Sequence, residues 1–255
     1  MFLFLRLLLA HFIADFPLQT KKIFELKEKT FWGSVLHAFV FFLLSILFCL
    51  PYIIKPKILG FIIALSILHA LIDYSKLKIT EKTDTDNLFS FLLDQALHIG
   101  LLTLVFFVPQ AGELKNVDLG WLGSLYNNNA VFVYLTGLTA STYGSSFVLY
   151  YIKTTFIDKQ IFYRRDKDGM IERGIVFSLL LLPWQLFLLI PVIVGIRILY
   201  YLNFTSHFKE WVDIIKRIEP SVEYQKVKLK SYLTVDLVGS PVLAVLIGIF
   251  LKNLL

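Results

Sequence analysis

Apolar runs constrain this chain more than any other feature of it. The stretch FVFFLLSILFCL from Phe39 to Leu50 and the stretch LLTLVFFV from Leu101 to Val108 contain no charged residue. Similar runs recur along the sequence, separated by short polar stretches. Roughly 20 residues at about 1.5 Å each cross a hydrocarbon core about 30 Å thick. Inside that core only helices and closed barrels pair every backbone N–H and C=O. The residues are 57% hydrophobic and 17% charged, against about 45–50% and about 25% in soluble domains. The expected fold is therefore all-α, a polytopic transmembrane helix bundle of about six to seven segments.

Segments are expected near 2–18, 32–50, 57–75, 88–108, 130–152, 174–201 and 235–252. The first four form a membrane unit over 1–109, and 110–255 holds the remaining segments, a polar loop and an interfacial helix. The first apolar run begins at Phe2 with no basic leader and no small-residue cleavage site after it, so a retained helix is expected rather than a signal peptide. Gly137, Ser141 and Ser145 form a small-residue stripe suited to close helix packing. Cys49 stands alone inside an apolar run, which excludes a disulfide framework.

The formal charge of +6 follows from lysines and arginines in the loops. They are dispersed among acids, with no soluble domain to carry a binding face, so nucleic acid is not an expected partner. Membrane lipids are. Lys21, Lys22, Lys27 and Lys29 flank one loop, Lys76, Lys78 and Lys82 another, and Arg164, Arg165, Lys167 and Arg173 a third, whereas the intervening loops hold Lys55, Lys57 and Lys115. Basic loops stay in the cytoplasm, so a multi-pass inner-membrane protein with its N-terminus outside is expected. The oligomeric state stays open. A single span at 174–201 would put the basic stretch after Phe204 outside, but Pro183 and Pro191 interrupt that region. A re-entrant hairpin there returns the chain to the cytoplasm; one kinked span is the alternative.

Four of the five histidines, His11, His37, His69 and His98, fall inside these segments. Three have an aspartate four residues away: Asp15 after His11, Asp73 after His69, and Asp94 before His98. Positions i and i+4 share a helix face. The first and third segments run toward the cytoplasm and the fourth runs away from it, and the order within the pair reverses in the fourth. A deep layer of His11, His69 and His98 under a shallow layer of Asp15, Asp73 and Asp94 follows. His37 is expected at the edge of this cluster, level with the aspartates. Gln19, Gln95 and Lys76 extend it toward the cytoplasmic mouth.

Ionisable groups at membrane depth are costly and face the bundle interior. Imidazoles with carboxylates suit a divalent transition metal, zinc first, with iron or manganese as alternatives. His11, Asp15, His37, His69, Asp73, Asp94 and His98 are the expected ligands, and Asp15, Asp73, Asp94 and Lys76 the expected catalytic groups. The expected activity is that of a metal-dependent hydrolase or transferase acting from the cytoplasmic side on a lipid-like or amphiphilic substrate. A metal-ion or proton transporter uses the same residues without chemistry. A non-catalytic scaffold is the third possibility.

The blocks LLLAHFIADFPLQTKK, HAFVFFLL, HALIDYSK and FLLDQALHIGLL, in that order, resemble an uncharacterised bacterial integral membrane family, the domain of unknown function 3307. The C-terminal half is also similar, through Glu172, Arg173, Gln185 and Arg197, although Pro183 and Trp184 depart from the aliphatics expected there. The resemblance strengthens the histidine and aspartate assignments and carries no reaction with it. A looser likeness to membrane-bound metal-dependent hydrolases rests on His/Asp-rich helices alone.

The remaining polar residues have simpler expectations. Asp166 to Gly169 reads as a solvated turn, since it lacks the spacing of a calcium loop. Glu172 and Arg173 are expected to pair with each other, and Arg197 to reach the headgroups. His207 reads as a surface residue in an interfacial helix over Phe204–Ile218.

Overall fold

The structure is a computed structural model that describes residues 1–83, 86–111, 116–118, 120–159, 166–204 and 231–253. His207 and nearly all of the expected interfacial helix lie outside the described residues. Among the described residues the regular structure is helical, with no strand. Phe31–Phe48, Pro56–Thr83, Leu88–Phe107 and Ser231–Lys252 are long and apolar enough to cross a membrane. Large apolar side chains such as Phe89, Phe107, Leu188 and Ile196 point outward while histidines, aspartates and arginines are buried. Such a surface suits lipid rather than water.

The chain forms two compact units, Met1–Thr139 and Ala140–Leu255. The unit boundary falls beyond residue 109 because α7 (Asn129–Thr139) packs back on α1 (Phe2–Asp15). The first unit also contains α2 (Lys21–Lys29), α3 (Phe31–Phe48), α4 (Pro56–Thr83), α5 (Leu88–Thr103) and α6 (Gly120–Asn127). Its core is one apolar cluster that includes Leu3, Leu7, Ala10, Phe41, Ile58, Ile62 and Leu102. Arg6 lies fully buried near the start of α1, with Phe2, Tyr126 and Phe132 around its guanidinium. It donates to the carbonyls of Phe2 and Tyr126 and to Asn129 Oδ1.

The second unit contains α8 (Ser145–Phe156), α9 (Lys167–Leu181), α10 (Leu189–Phe204) and α11 (Ser240–Lys252). Val176 and Leu180 of α9 pack on Ala244 of α11. A Cβ at Gly248 would stand 2.6 Å from Leu180 Cδ1, so glycine there permits the close crossing. The apolar stretch 174–201 is not a single helix. The chain leaves α9 at Leu182, passes Pro183 and turns through Trp184–Leu188 into α10. α10 folds back on α9, because Arg197, midway along α10, reaches Glu172 and Asp166 near the start of α9.

Two π turns, Ala140–Gly144 and Val235–Gly239, interrupt the helical ladder of this unit. A π turn spreads i→i+5 bonds over one extra residue and leaves carbonyls poorly served. Each is met by a buried arginine. Arg173 donates to the carbonyls of Ser141 (2.9 Å) and Thr142 (3.0 Å), and to the hydroxyls of Ser240 and Ser146. Arg197 donates to the carbonyl of Asp236 at 2.9 Å. Ser141 and Ser145 are buried, as the small-residue stripe requires.

Three expectations are corrected here. Arg197 does not extend to headgroups; it is 6% exposed and paired with Glu172 and Asp166, both at 2.5 Å. Glu172 and Arg173 do not pair with each other, because adjacent residues on a helix point about 100° apart. Asp166 is no solvated turn either, but the N-cap of α9, accepting from Gly169 N at 3.0 Å.

Candidate metal centre

The site arises where buried stripes change from apolar to polar residues. Along α4 the buried positions run Ile58, Ile62, Leu65, then His69 and Asp73. Along α1, Leu3, Leu7 and Ala10 give way to His11 and Asp15. The 3.6-residue period that buries the apolar half therefore also aims the ionisable half inward. Asn87 caps α5 by accepting from Ser90 N while Ser90 Oγ accepts from Asn87 N, which fixes where Asp94 and His98 stand on the helix.

All seven expected ligands meet. The rings of His11, His69 and His98 lie 4.2 to 5.5 Å apart, centroid to centroid. His37 is not at the edge: its ring is 5.2 Å from that of His69, and its Nε2 is 3.2 Å from Asp15 Oδ1. Thr30 starts α3 by capping Gly33 N, which puts His37 nearly two turns inside the helix rather than at its mouth. Asp15 Oδ1 also faces His11 at 3.4 Å and His69 at 3.5 Å. Asp73 faces His69 at 3.5 Å, His37 at 3.8 Å and His98 at 3.9 Å. Phe41 stacks on His69 at 5.0 Å and holds its plane.

Apart from the His37–Asp15 hydrogen bond, these separations fit a cation better than hydrogen bonds. Hydrogen bonds to nitrogen close at about 2.7–3.2 Å. Donor atoms bound at about 2.0–2.1 Å to a tetrahedral ion stand about 3.4 Å from one another. Both ring nitrogens of His11, Nε2 of His69 and His98, and Oδ1 of Asp94 are buried without a hydrogen-bond partner among the described residues. Buried polar atoms are nearly always paired. Among the described residues, three overlapping groups each bring one donor atom per residue within 4.8 Å: His11–Asp15–His69, His37–His69–Asp73 and Asp73–Asp94–His98. His98 Nδ1 lies 2.8 Å from the Asp94 carbonyl. A carbonyl only accepts, so Nδ1 carries the proton and Nε2 presents its lone pair to the cluster. The donor set thus fits a divalent transition metal.

The mouth is more basic than expected. Lys76 lies 3.3 Å from Asp94 Oδ2, and Gln95 Nε2 donates to Asp15 Oδ2 at 3.1 Å and sits 3.5 Å from Asp94 Oδ2. Gln19, beyond the end of α1, is half-buried and adds no described contact to the cluster. Lys27, read in sequence only as a loop charge, is buried, with its Nζ 2.6 Å from Asp73 Oδ1. Burial works against its charge, but Asp73, then Asp15 and Asp94, outweigh that and hold the ammonium above its ordinary pKa.

Gly33 makes this possible. A Cβ there would stand 2.2 Å from the carbonyl carbon and oxygen of Leu26, so only glycine lets α2 lie on the first turn of α3. Gly33→Ala is expected to destabilise the protein by about 1–3 kcal/mol and to free Lys27 from Asp73. Denaturation in detergent measures the first effect. A stability unchanged by the substitution would show that α2 does not dock there.

Comparison with known families matches residues 3–117 to the family described as Protein of unknown function (DUF3307). The matched residues hold every histidine and aspartate of the cluster, together with Lys27, Lys76 and Gln95, and stop short of the second unit. Neither the curated proteins nor the solved structures contain a match.

Proposed function

We propose that this DUF3307 domain is a membrane-embedded, metal-dependent hydrolase or transferase acting on an amphiphilic substrate at the cytoplasmic face. The observation that carries it is the buried set of imidazole and carboxylate atoms spaced 3.4 to 3.9 Å apart around His69 and Asp73. His11, His69 and His98 would hold the ion, with His37 and the aspartates completing or orienting the set. Zinc suits these donors first, then iron or manganese. A bound divalent ion would lower the pKa of water toward about 7 and so supply a nucleophile at neutral pH.

The chain's own groups do the rest. Asp15, which faces His11, His37 and His69, is placed to accept a proton as general base. Lys76 and Gln95 stand at the partly exposed rim, where a reacting group enters. An apolar groove of about 410 Å³ between α3 and α4, with Phe31, Phe42 and Ile67 in its walls, supports an amphiphilic substrate. Its Phe31 end lies at the start of α3, next to α2 and Lys27.

The Lys27–Asp73 and Lys76–Asp94 pairs favour a second reading, a proton or ion pathway, because they balance two carboxylates without a metal. Elemental analysis of natively purified protein and flux in liposomes separate the two. Near-stoichiometric metal without flux supports the enzyme. Metal-free protein that conducts protons replaces it with the pathway.

Orientation has its own test. Lys27 is buried in an ion pair and unsuited to labelling, but Lys29 and Lys82 are exposed. Cysteines at those positions in a Cys49→Ala background are expected to resist impermeant thiol reagents in intact cells. Labelling of both from outside reverses the proposed topology.

A further inference from the structure

The mouth of the cluster holds more positive charge than a loaded metal site needs. Lys27 closes on Asp73 and Lys76 on Asp94, and these two carboxylates belong with His98 to one donor group. Both ammoniums therefore reach carboxylates of one donor group. Asp15, Asp73 and Asp94 carry three negative charges and the two lysines two positive ones, leaving one negative charge when the histidines are neutral. Histidine ligands must be neutral, so a divalent cation turns that balance into one positive charge. An uncompensated charge in a buried site is costly. The loaded site is thus built to take up a monoanion.

The donors and acceptors at the mouth narrow its identity. An ammonium has three N–H donors and no acceptor. Each lysine directs one at a carboxylate and keeps the others. Several donors with a cation nearby suit an oxyanion with three or four oxygens better than a two-oxygen carboxylate, and lysine binds phosphate as a point charge. Gln95 adds one acceptor. Its amide nitrogen must face the carboxylates of Asp15 and Asp94, so its Oε1 is fixed on the other side, buried and without a hydrogen-bond partner among the described residues. A singly charged phosphomonoester carries one P–OH, which that oxygen can accept.

Building on the metal reading above, we infer that the site recognises a phosphomonoester monoanion, with Lys27 and Lys76 binding its oxygens and Gln95 Oε1 its proton. The same chemistry is offered by a lipid phosphate headgroup and by inorganic phosphate.

The test uses the full chain, zinc-loaded, in phosphatidylcholine nanodiscs. Metal content is read by elemental analysis. Phosphate binding is read by titration calorimetry with inorganic phosphate and by phosphorus NMR of discs with and without phosphatidic acid. Lys27→Gln and Lys76→Gln are each expected to keep the metal and to lose about tenfold or more in phosphate affinity, and Lys76→Arg to retain that affinity. A response to phosphatidic acid alone assigns the ligand to lipid; an equal response to inorganic phosphate assigns it to a soluble source. Both support the phosphate site. Metal bound with no affinity for either ligand overturns this inference and leaves the metal reading standing, as does phosphate affinity unchanged in both glutamine variants. A wild-type protein that holds no metal sinks the metal reading itself, and this inference with it.

Discussion

Replacing any one of His11, His69 or His98 by alanine is expected to strip most of the metal from the purified protein. The three rings lie within 5.5 Å of one another, and His11 and His69 share Asp15 as a neighbour. Losing a group that merely orients a ligand costs about 10–100-fold in metal affinity, and losing a ligand costs more. The remaining residues cannot move to replace it, because each imidazole is set by a rigid helix packed against its neighbours. His207→Ala controls for histidine loss as such and is expected to keep the metal. Elemental analysis decides the matter. Metal content that stays at the wild-type level in all three variants would falsify the metal centre and leave a proton pathway as the better account.

Arg197→Ala is expected to destabilise the second unit by about 3–5 kcal/mol, the cost of breaking a buried ion pair by removing one partner. Glu172 is 3% exposed and would be left without the guanidinium that now binds it at 2.5 Å. Asp166, more exposed, would lose its partner as well, and the Asp236 carbonyl its donor. Because much of the penalty is the stranded carboxylate, Arg197→Met combined with Glu172→Gln is expected to recover part of it. Unfolding in detergent with increasing denaturant reads both. A single variant within about 1 kcal/mol of wild type would instead assign Arg197 a loose, solvent-facing role.

Much of the cluster was legible from spacing alone. His11 with Asp15, His69 with Asp73, and Asp94 with His98 are i, i+4 pairs, and the reversed order in the third pair predicts their convergence before any coordinates. His37 was harder to place, since its position depends on where Thr30 starts α3. Lys27 carries no signal in the periodicity of its own segment. Its role depends on a backbone approach at Gly33, which sequence shows only as a glycine. The polar cluster around Glu172, Arg173 and Arg197 was illegible for a similar reason. It joins α9, α10 and two π turns, and neither a π turn nor a helix hairpin follows from the hydropathy of any one stretch. The length of the apolar region 174–201 fits one span or two short helices, and the break after α9 together with the Arg197 contacts distinguishes them.

The two π turns tie backbone length to side-chain identity. A π turn is what a helix becomes when one residue is added without moving its ends. The added residue leaves carbonyls exposed in a low-dielectric interior, and here Arg173 and Arg197 answer them. Deleting the residue alone would rotate the rest of the helix by about 100° and strand a guanidinium. Losing the arginine alone would bare the carbonyls. Each π turn and its arginine therefore form a single structural unit, which a change to either one alone would break.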